Sequence, residues 1–141
     1  LFGKVCAYAQ GANLIREGNS EYRWNINLTD VPKCWREGCI LRGRLLDRWI
    51  SECSEQDGYS LLDVPYFWDQ LIDCLVSVRR VVYLSAQAGL PLPALMSSLA
   101  WFDGMTSERL PHALIQGQRD SFGGHGLYLR EDPERLVHND W

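Results

Sequence analysis

The 141-residue sequence lacks the features that mark several large classes of protein. It has no apolar run of transmembrane length and no long run of lysine and arginine. Its formal net charge of -4 and its pI near 5.3 argue against a nucleic-acid or membrane-surface partner. No serine or cysteine nucleophile motif and no phosphate-cradling loop is present. We therefore expect a cytoplasmic globular protein, for which a small anion remains a permitted ligand.

The thiols and imidazoles do not have the spacing of a disulfide framework or a zinc site. The five cysteines form an odd set without a C-x-x-C pair, and they are Cys6, Cys34, Cys39, Cys53 and Cys74. The three histidines are distant from them in sequence, at His112, His125 and His138. We interpret the cysteines as buried, reduced thiols and predict no metal site.

A dinucleotide-binding fingerprint is also missing. No G-x-G-x-x-G turn follows a predicted strand anywhere in the sequence. The chain begins without methionine, at Leu1, inside a helical pattern. We expect a fragment or a processed chain, in which neither catalytic nor cofactor-binding residues are present.

The spacing of apolar residues predicts an all-α fold, with residues 1–141 in one domain. Stripes at helical spacing include Val5, Tyr8, Ala12 and Ile15 near the start and Leu71, Leu75, Val78 and Val82 later. Helices are predicted over 1–22, from Thr29 to Gly38, across 45–53 up to the polar stretch Ser54 to Ser60, from Pro65 to Gly89, from Pro93 to about Asp103, and from Pro111 into Gly123. Residues 127–141 are expected to form a polar tail, and no sheet is predicted.

A basic cluster surrounds the predicted helix break at Gly38. It contains Arg36, Arg42 and Arg44. Arg42 lies just after the break, where backbone N–H groups are available for an anion, and guanidinium groups bind phosphate in a two-pronged manner. From the residues alone, an anion site and a solvated basic face both remain open.

A second candidate site ends the last predicted helix. Arg119 and His125 are six residues apart, so on a continuous helix their side chains would lie roughly 120° out of alignment. They converge only if the helix ends between them, which Gly123 and Gly124 favour. The alternative is an exposed arginine beside a capping histidine.

Four segments in order resemble one enzyme family. They are 7–17 (AYAQGANLIRE), 35–42 (WREGCILR), 91–94 (PLPA) and 109–125 (RLPHALIQGQRDSFGGH), with a closing HNDW at 138–141. Together they resemble the C-terminal domain of decarboxylating 6-phosphogluconate dehydrogenase, and the resemblance is collinear over nearly the whole chain.

The resemblance implies a function and three substrate-binding residues. It implies an enzyme that oxidises 6-phosphogluconate with NADP and releases carbon dioxide, giving ribulose 5-phosphate. It also implies a homodimer in which Arg42 binds the substrate phosphate within its own subunit, whereas Arg119 and His125 reach into the neighbouring subunit's site. The family's proton-transferring lysine and glutamate, and its nucleotide-binding domain, would precede this chain.

The sequence departs from the family pattern around His125. Ser121 stands where the family has an aromatic residue, Gly124 where it has alanine, and Gly126 and Leu127 where it has threonine and tyrosine. Two other interpretations stay open: a stand-alone helical self-association module, and a related hydroxyacid dehydrogenase with another anionic substrate, although the latter would lack the segment from Arg119 to His125.

Overall fold

The computed structural model describes residues 1–36, 38–53 and 60–141. Its contacts divide the chain into two compact units, unit 1 (Leu1–Phe102) and unit 2 (Asp103–Trp141), where the sequence predicts a single domain. The helices are α1 (Phe2–Tyr22), α2 (Val31–Arg36), α3 (Arg44–Glu52), α4 (Pro65–Gln87), α5 (Pro93–Thr106) and α6 (His112–Gly123), with 3-10 turns at Leu28–Asp30 and Leu61–Asp63 and short strands β1 (Leu127–Tyr128) and β2 (Leu136–Val137). The predicted helical fold is confirmed.

Unit 1 is built on the buried face of α1. Val5 and Tyr8, from the predicted stripe, are buried together with Ala9, because residues three and four apart share one helix face. The core that they join takes Leu46 from α3 and Leu71 from α4, both with no solvent exposure. No described helix is both long and apolar enough to cross a membrane.

An aromatic triangle fixes the N-terminal helices of unit 1 to one another. The ring centroid of Tyr8 lies 6.1 Å from that of Trp35 and 6.0 Å from that of Trp49, and the two tryptophans are 5.9 Å apart. Such tilted and edge-on pairs add attraction between their ring quadrupoles to their burial. The triangle therefore stabilises the packing of α1, α2 and α3.

Several helix ends differ from their predictions. The predicted cap Thr29 lies inside a 3-10 turn, and the capping oxygen belongs to Asn27, which accepts from the Thr29 backbone N–H at 2.9 Å. Asparagine caps well because its short amide reaches the free N–H groups of the first turn. Helix α5 continues past Asp103 to Thr106. Pro65 begins α4 as predicted. Glu37 and most of the predicted polar stretch, from Ser54 to Tyr59, lie outside the described residues.

The cysteines are only partly buried. Cys6 and Cys53 are buried, and burial raises the pKa of both thiols to about 11. Cys34, in contrast, is exposed. The expectation of a buried thiol is therefore wrong for Cys34, because this residue lies on the outward side of the short helix α2.

Unit 2 contains a small hairpin that the sequence pattern did not predict. Leu127 pairs with Val137 and Tyr128 with Leu136 in antiparallel register. Each strand has only two residues, too few to show the alternation from which strands are recognised. The segment 127–141, expected to be a tail, instead returns to α6 through hydrogen bonds to Asp120.

Candidate anion-binding site

Arg42 lies in a turn of unit 1 that α1 holds in place. Its backbone N–H donates to the Cys39 carbonyl at 3.2 Å, which closes the turn between α2 and α3. The hydroxyl of Tyr8 donates to the carbonyl of Leu41 at 3.0 Å, so a side chain of the aromatic triangle anchors the residue immediately before Arg42. The position of the Arg42 backbone is therefore determined by core packing.

The arginines around this turn differ in their partners. Arg36 forms an ion pair with Asp47 at 2.9 Å. The exposed side chain of Arg42, by contrast, forms no ion pair or hydrogen bond with any described residue. A guanidinium without an internal carboxylate keeps its five donors for an external anion. Among the described residues, the predicted cluster therefore includes one paired arginine, Arg36, and one without a carboxylate partner, Arg42.

The end of α6 brings Arg119 and His125 into the same region of unit 2. The helix ends at Gly123, and Gly124 caps it in the left-handed conformation with φ 60°. The chain then turns back, so that the His125 ring packs against Gly123: a Cβ at position 123 would lie 2.8 Å from the His125 Cδ2 and Nε2 atoms. Arg119 and Gly123 are four residues apart and share a helix face. The predicted helix end between the two residues is confirmed.

Gln116 connects this helix face to the following turn. Its Oε1 accepts from Arg119 Nη1 at 3.1 Å, and its Nε2 donates to the Gly126 carbonyl at 2.7 Å. Gln116 is half-buried, whereas Arg119 and His125 are exposed. Arg119 has no carboxylate partner among the residues that the structure describes. The exposed face thus presents a guanidinium and an imidazole, and no described carboxylate pairs with the guanidinium.

Asp120 is the buried centre of unit 2. It has no solvent exposure, and its Oδ1 accepts from the Gly126 backbone N–H at 2.7 Å and from His138 Nδ1 at 2.8 Å. Its Oδ2 accepts from the Asn139 N–H at 3.1 Å and from the Trp141 indole N–H at 2.9 Å. A buried carboxylate is tolerated when it is fully hydrogen-bonded, as it is here.

These bonds shift the ionisation of both side chains of the pair. The hydrogen bond from His138 holds the pKa of Asp120 well below its usual range, and the backbone and indole donors act in the same direction. The same bond raises the pKa of His138. Through its bonds to His138, Asn139 and Trp141, Asp120 joins residues 138–141 to α6.

Sequence reasoning named Arg119 and His125 but assigned no role to Gln116, Asp120 or His138. One physical indication was available for Asp120. It lies in the last turn of α6, where the helix dipole disfavours a carboxylate unless local donors compensate. Within residues 1–36, 38–53 and 60–141, no three histidine, cysteine, aspartate or glutamate side chains form a group that could hold a metal ion.

The glycines that depart from the family pattern fit the turn after α6. Gly124 has φ 60° and Gly126 has φ 76°, both in the left-handed region that favours glycine. A Cβ at Gly126 would lie 2.6 Å from a methyl group of Leu136. The turn in this chain is therefore built around glycines rather than around the alanine and threonine of the family pattern.

Comparison with known proteins identifies the family. The model of the 6-phosphogluconate dehydrogenase C-terminal domain matches residues 1–141. The decarboxylating 6-phosphogluconate dehydrogenase 1 of Spinacia oleracea is 42% identical over 139 residues, covering 98% of this chain and 29% of that protein. The decarboxylating enzyme of Buchnera aphidicola subsp. Baizongia pistaciae is 37% identical over 140 residues, covering 99% of this chain and 30% of that protein.

A solved structure agrees with these matches. The 6-phosphogluconate dehydrogenase of Plasmodium falciparum has been solved in its apo form, with its cofactor NADP+ and with its substrate 6-phosphogluconate. Its chain superposes with a TM-score of 0.91 at 33% identity, covering 99% of this chain and 30% of that one. This chain belongs to the 6-phosphogluconate dehydrogenase family and corresponds to its C-terminal domain. It spans between 29% and 30% of the length of these relatives.

Proposed function

We propose that the full protein containing this chain oxidatively decarboxylates 6-phosphogluconate to ribulose 5-phosphate with NADP. In this proposal the chain supplies substrate contacts and the dimer interface. The observation that carries the proposal is the face of α6 on which Arg119 has no carboxylate partner among the described residues and His125 packs nearby at Gly123. A phosphate group with nearly two negative charges is the ligand that such donors bind most strongly.

The resemblance implies the roles of the three site residues. Arg42 would bind the substrate phosphate in its own subunit, whereas Arg119 and His125 would contribute to the site of the neighbouring subunit. In support, the exposed side chains of Arg42 and Arg119 both lack an acidic partner within the described part of the chain. The redox chemistry would come from NADP. The full protein would bind NADP through a part that corresponds to the region of the relatives outside this match, since the described helices and two-residue strands offer no dinucleotide-binding sheet.

Exposed apolar side chains support a homodimer. Val76 and Leu114 are each 79% exposed and Leu14 is 75% exposed, although all three lie on helices. Apolar side chains left exposed on helix faces, as these are in the described part of the chain, are typical of surfaces buried between subunits. The same observation favours the second candidate function, a helical self-association module without catalytic activity.

Mixing two damaged enzymes tests the shared site. In the full-length protein, Arg42→Ala and Arg119→Ala should each raise the Michaelis constant for 6-phosphogluconate about ten- to a hundredfold, since each removes a charge-assisted bond worth about 1.5–3 kcal/mol. A heterodimer contains one subunit of each variant. The site in the Arg42→Ala subunit lacks its own Arg42 and also the Arg119 of its neighbour. The site in the Arg119→Ala subunit keeps its own Arg42 and receives an intact Arg119 from its neighbour. Random exchange at equal amounts should therefore restore about a quarter of the wild-type sites.

The matched control is an exchange of each variant with itself, which should restore nothing. Recovery at low substrate would support the assignment of Arg119 to the neighbouring subunit. Absence of recovery after verified exchange would place Arg119 in its own subunit's site or outside any site. A full-length protein that dimerises but neither binds nor oxidises 6-phosphogluconate would favour the self-association module instead.

A further inference from the structure

We propose that Gln116 is a positioning residue for the substrate site and sets the directions of both Arg119 and the turn that carries His125. The inference rests on the proposed function, because positioning has meaning only if Arg119 and His125 contact substrate. Gln116 itself is half-buried and need not touch the ligand.

The two ends of the Gln116 amide act on different parts of the site. Oε1 accepts from Arg119 Nη1 at 3.1 Å, which restricts a long side chain that is otherwise exposed. Nε2 donates to the Gly126 carbonyl at 2.7 Å, directly after His125 in the chain. A single planar amide therefore couples the direction of the guanidinium to the position of the turn.

Both backbone polar groups of Gly126 are hydrogen-bonded to side chains of α6. Its N–H donates to Asp120 at 2.7 Å and its carbonyl accepts from Gln116. Gly126 is also buried and has φ 76°, a conformation in the left-handed region that glycine adopts readily. Asp120 thus bonds the N–H of Gly126, and Gln116 bonds its carbonyl.

The hydrogen bond to Gln116 restricts the Arg119 side chain before the ligand binds. Less side-chain conformational entropy is therefore lost on binding. An arginine side chain loses substantial rotamer freedom when it is immobilised, and part of that loss has already occurred in the Gln116-bonded conformer. The remaining donors of the guanidinium are still available for phosphate oxygens. Loss of Gln116 should therefore weaken binding without removing any group that contacts the ligand.

The test uses the full-length protein with Gln116→Met, which keeps the length of the side chain and removes both hydrogen bonds. The matched control is Gln118→Met, an exposed position on the same helix. We expect Gln116→Met to raise the Michaelis constant for 6-phosphogluconate about three- to tenfold, with a smaller change in kcat. Gln118→Met should match wild type in both constants.

A double-mutant cycle separates positioning from a general structural effect. If Gln116 acts through Arg119, then Gln116→Met should raise the Michaelis constant clearly less in an Arg119→Ala background than in wild type. Equal effects in the two backgrounds would contradict the proposal, as would a Gln116→Met enzyme indistinguishable from Gln118→Met.

Gln116→Glu keeps the proposal testable if the methionine variant does not fold. Its carboxylate would pair with Arg119 and compete with the substrate phosphate, so we expect a rise in the Michaelis constant of more than tenfold. An unchanged Michaelis constant in Gln116→Glu would overturn the inference. If wild type neither binds nor oxidises 6-phosphogluconate, the proposed function itself fails and the inference fails with it. If wild type binds and only Arg119→Ala weakens binding, the inference alone is wrong.

Discussion

Replacing Gly123 with alanine adds a methyl group where the His125 ring now lies. The new Cβ would be 2.8 Å from both Cδ2 and Nε2 of the ring, about 0.6 Å closer than ordinary contact between such atoms. Gly123 is the last residue of α6 and has no positive φ, so its backbone accepts alanine. The conflict is therefore confined to the imidazole, which is exposed and can rotate away.

We expect the substitution to leave stability unchanged or slightly higher and to weaken substrate binding. Alanine favours a helix over glycine by up to about 1 kcal/mol in a helix interior, and less at a terminal residue. The free energy of unfolding should therefore rise slightly or stay constant. If the displaced His125 loses one hydrogen bond to the substrate, worth about 0.5–1.5 kcal/mol, the Michaelis constant should rise about two- to tenfold.

The assay combines thermal unfolding with steady-state kinetics on 6-phosphogluconate in the full-length protein. Gly104→Ala is the matched control, because a Cβ at this helical glycine of α5 meets nothing within 4 Å. It should share any gain in stability and leave the Michaelis constant unchanged. A Gly123→Ala enzyme with the control's kinetics would refute a substrate contact by His125, and a marked loss of stability would refute the claim that the imidazole gives way.

Three further predictions concern stability. Leu46→Ala should lower the free energy of unfolding by about 2–5 kcal/mol, measured by urea denaturation, since Leu46 is wholly buried in the core of unit 1. Gly126→Ala should cost about 1–2 kcal/mol from its φ of 76° alone, with a further penalty from Leu136; an unchanged urea midpoint would mean that the turn is not constrained as described. The contribution of the Asp120–His138 pair to the free energy of unfolding should be largest between about pH 4 and 6.5. The pKa of Asp120 is lowered in the folded protein, so the stabilisation from its carboxylate is lost as the pH falls through this lowered pKa. The pKa of His138 is raised, so the stabilisation from its imidazolium is lost as the pH rises through this raised pKa. The difference in Tm between wild type and His138→Gln, followed from pH 3 to 9, checks this, and a difference independent of pH would contradict it.

Helical periodicity was sufficient to predict most of unit 1. The spacing of Val5 and Tyr8 on α1, and of Leu71 and Val78 on α4, reports burial directly, because one helix face must meet the core. Pro65 likewise marks the start of α4, since proline is favoured in the first turn. These features depend on neighbours within a few residues, and local sequence contains that information.

The organisation of unit 2 depends on contacts between distant residues. Asp120 joins His138 and Trp141, which follow it by 18 and 21 residues, and no local spacing predicts such partners. The expected tail therefore contains the donors that make a buried carboxylate stable. At the candidate site, glycine spacing indicated correctly that α6 ends before His125, whereas the role of Gln116 required the position of the Gly126 carbonyl.

Titration of the full-length protein with 6-phosphogluconate, and with gluconate as its unphosphorylated analogue, tests the central claim most directly. If Arg119 binds the phosphate, Arg119→Ala should weaken binding of 6-phosphogluconate about ten- to a hundredfold and leave the weaker binding of gluconate unchanged. Equal losses for both ligands, or no loss for either, would contradict the assignment of this exposed guanidinium to the substrate phosphate.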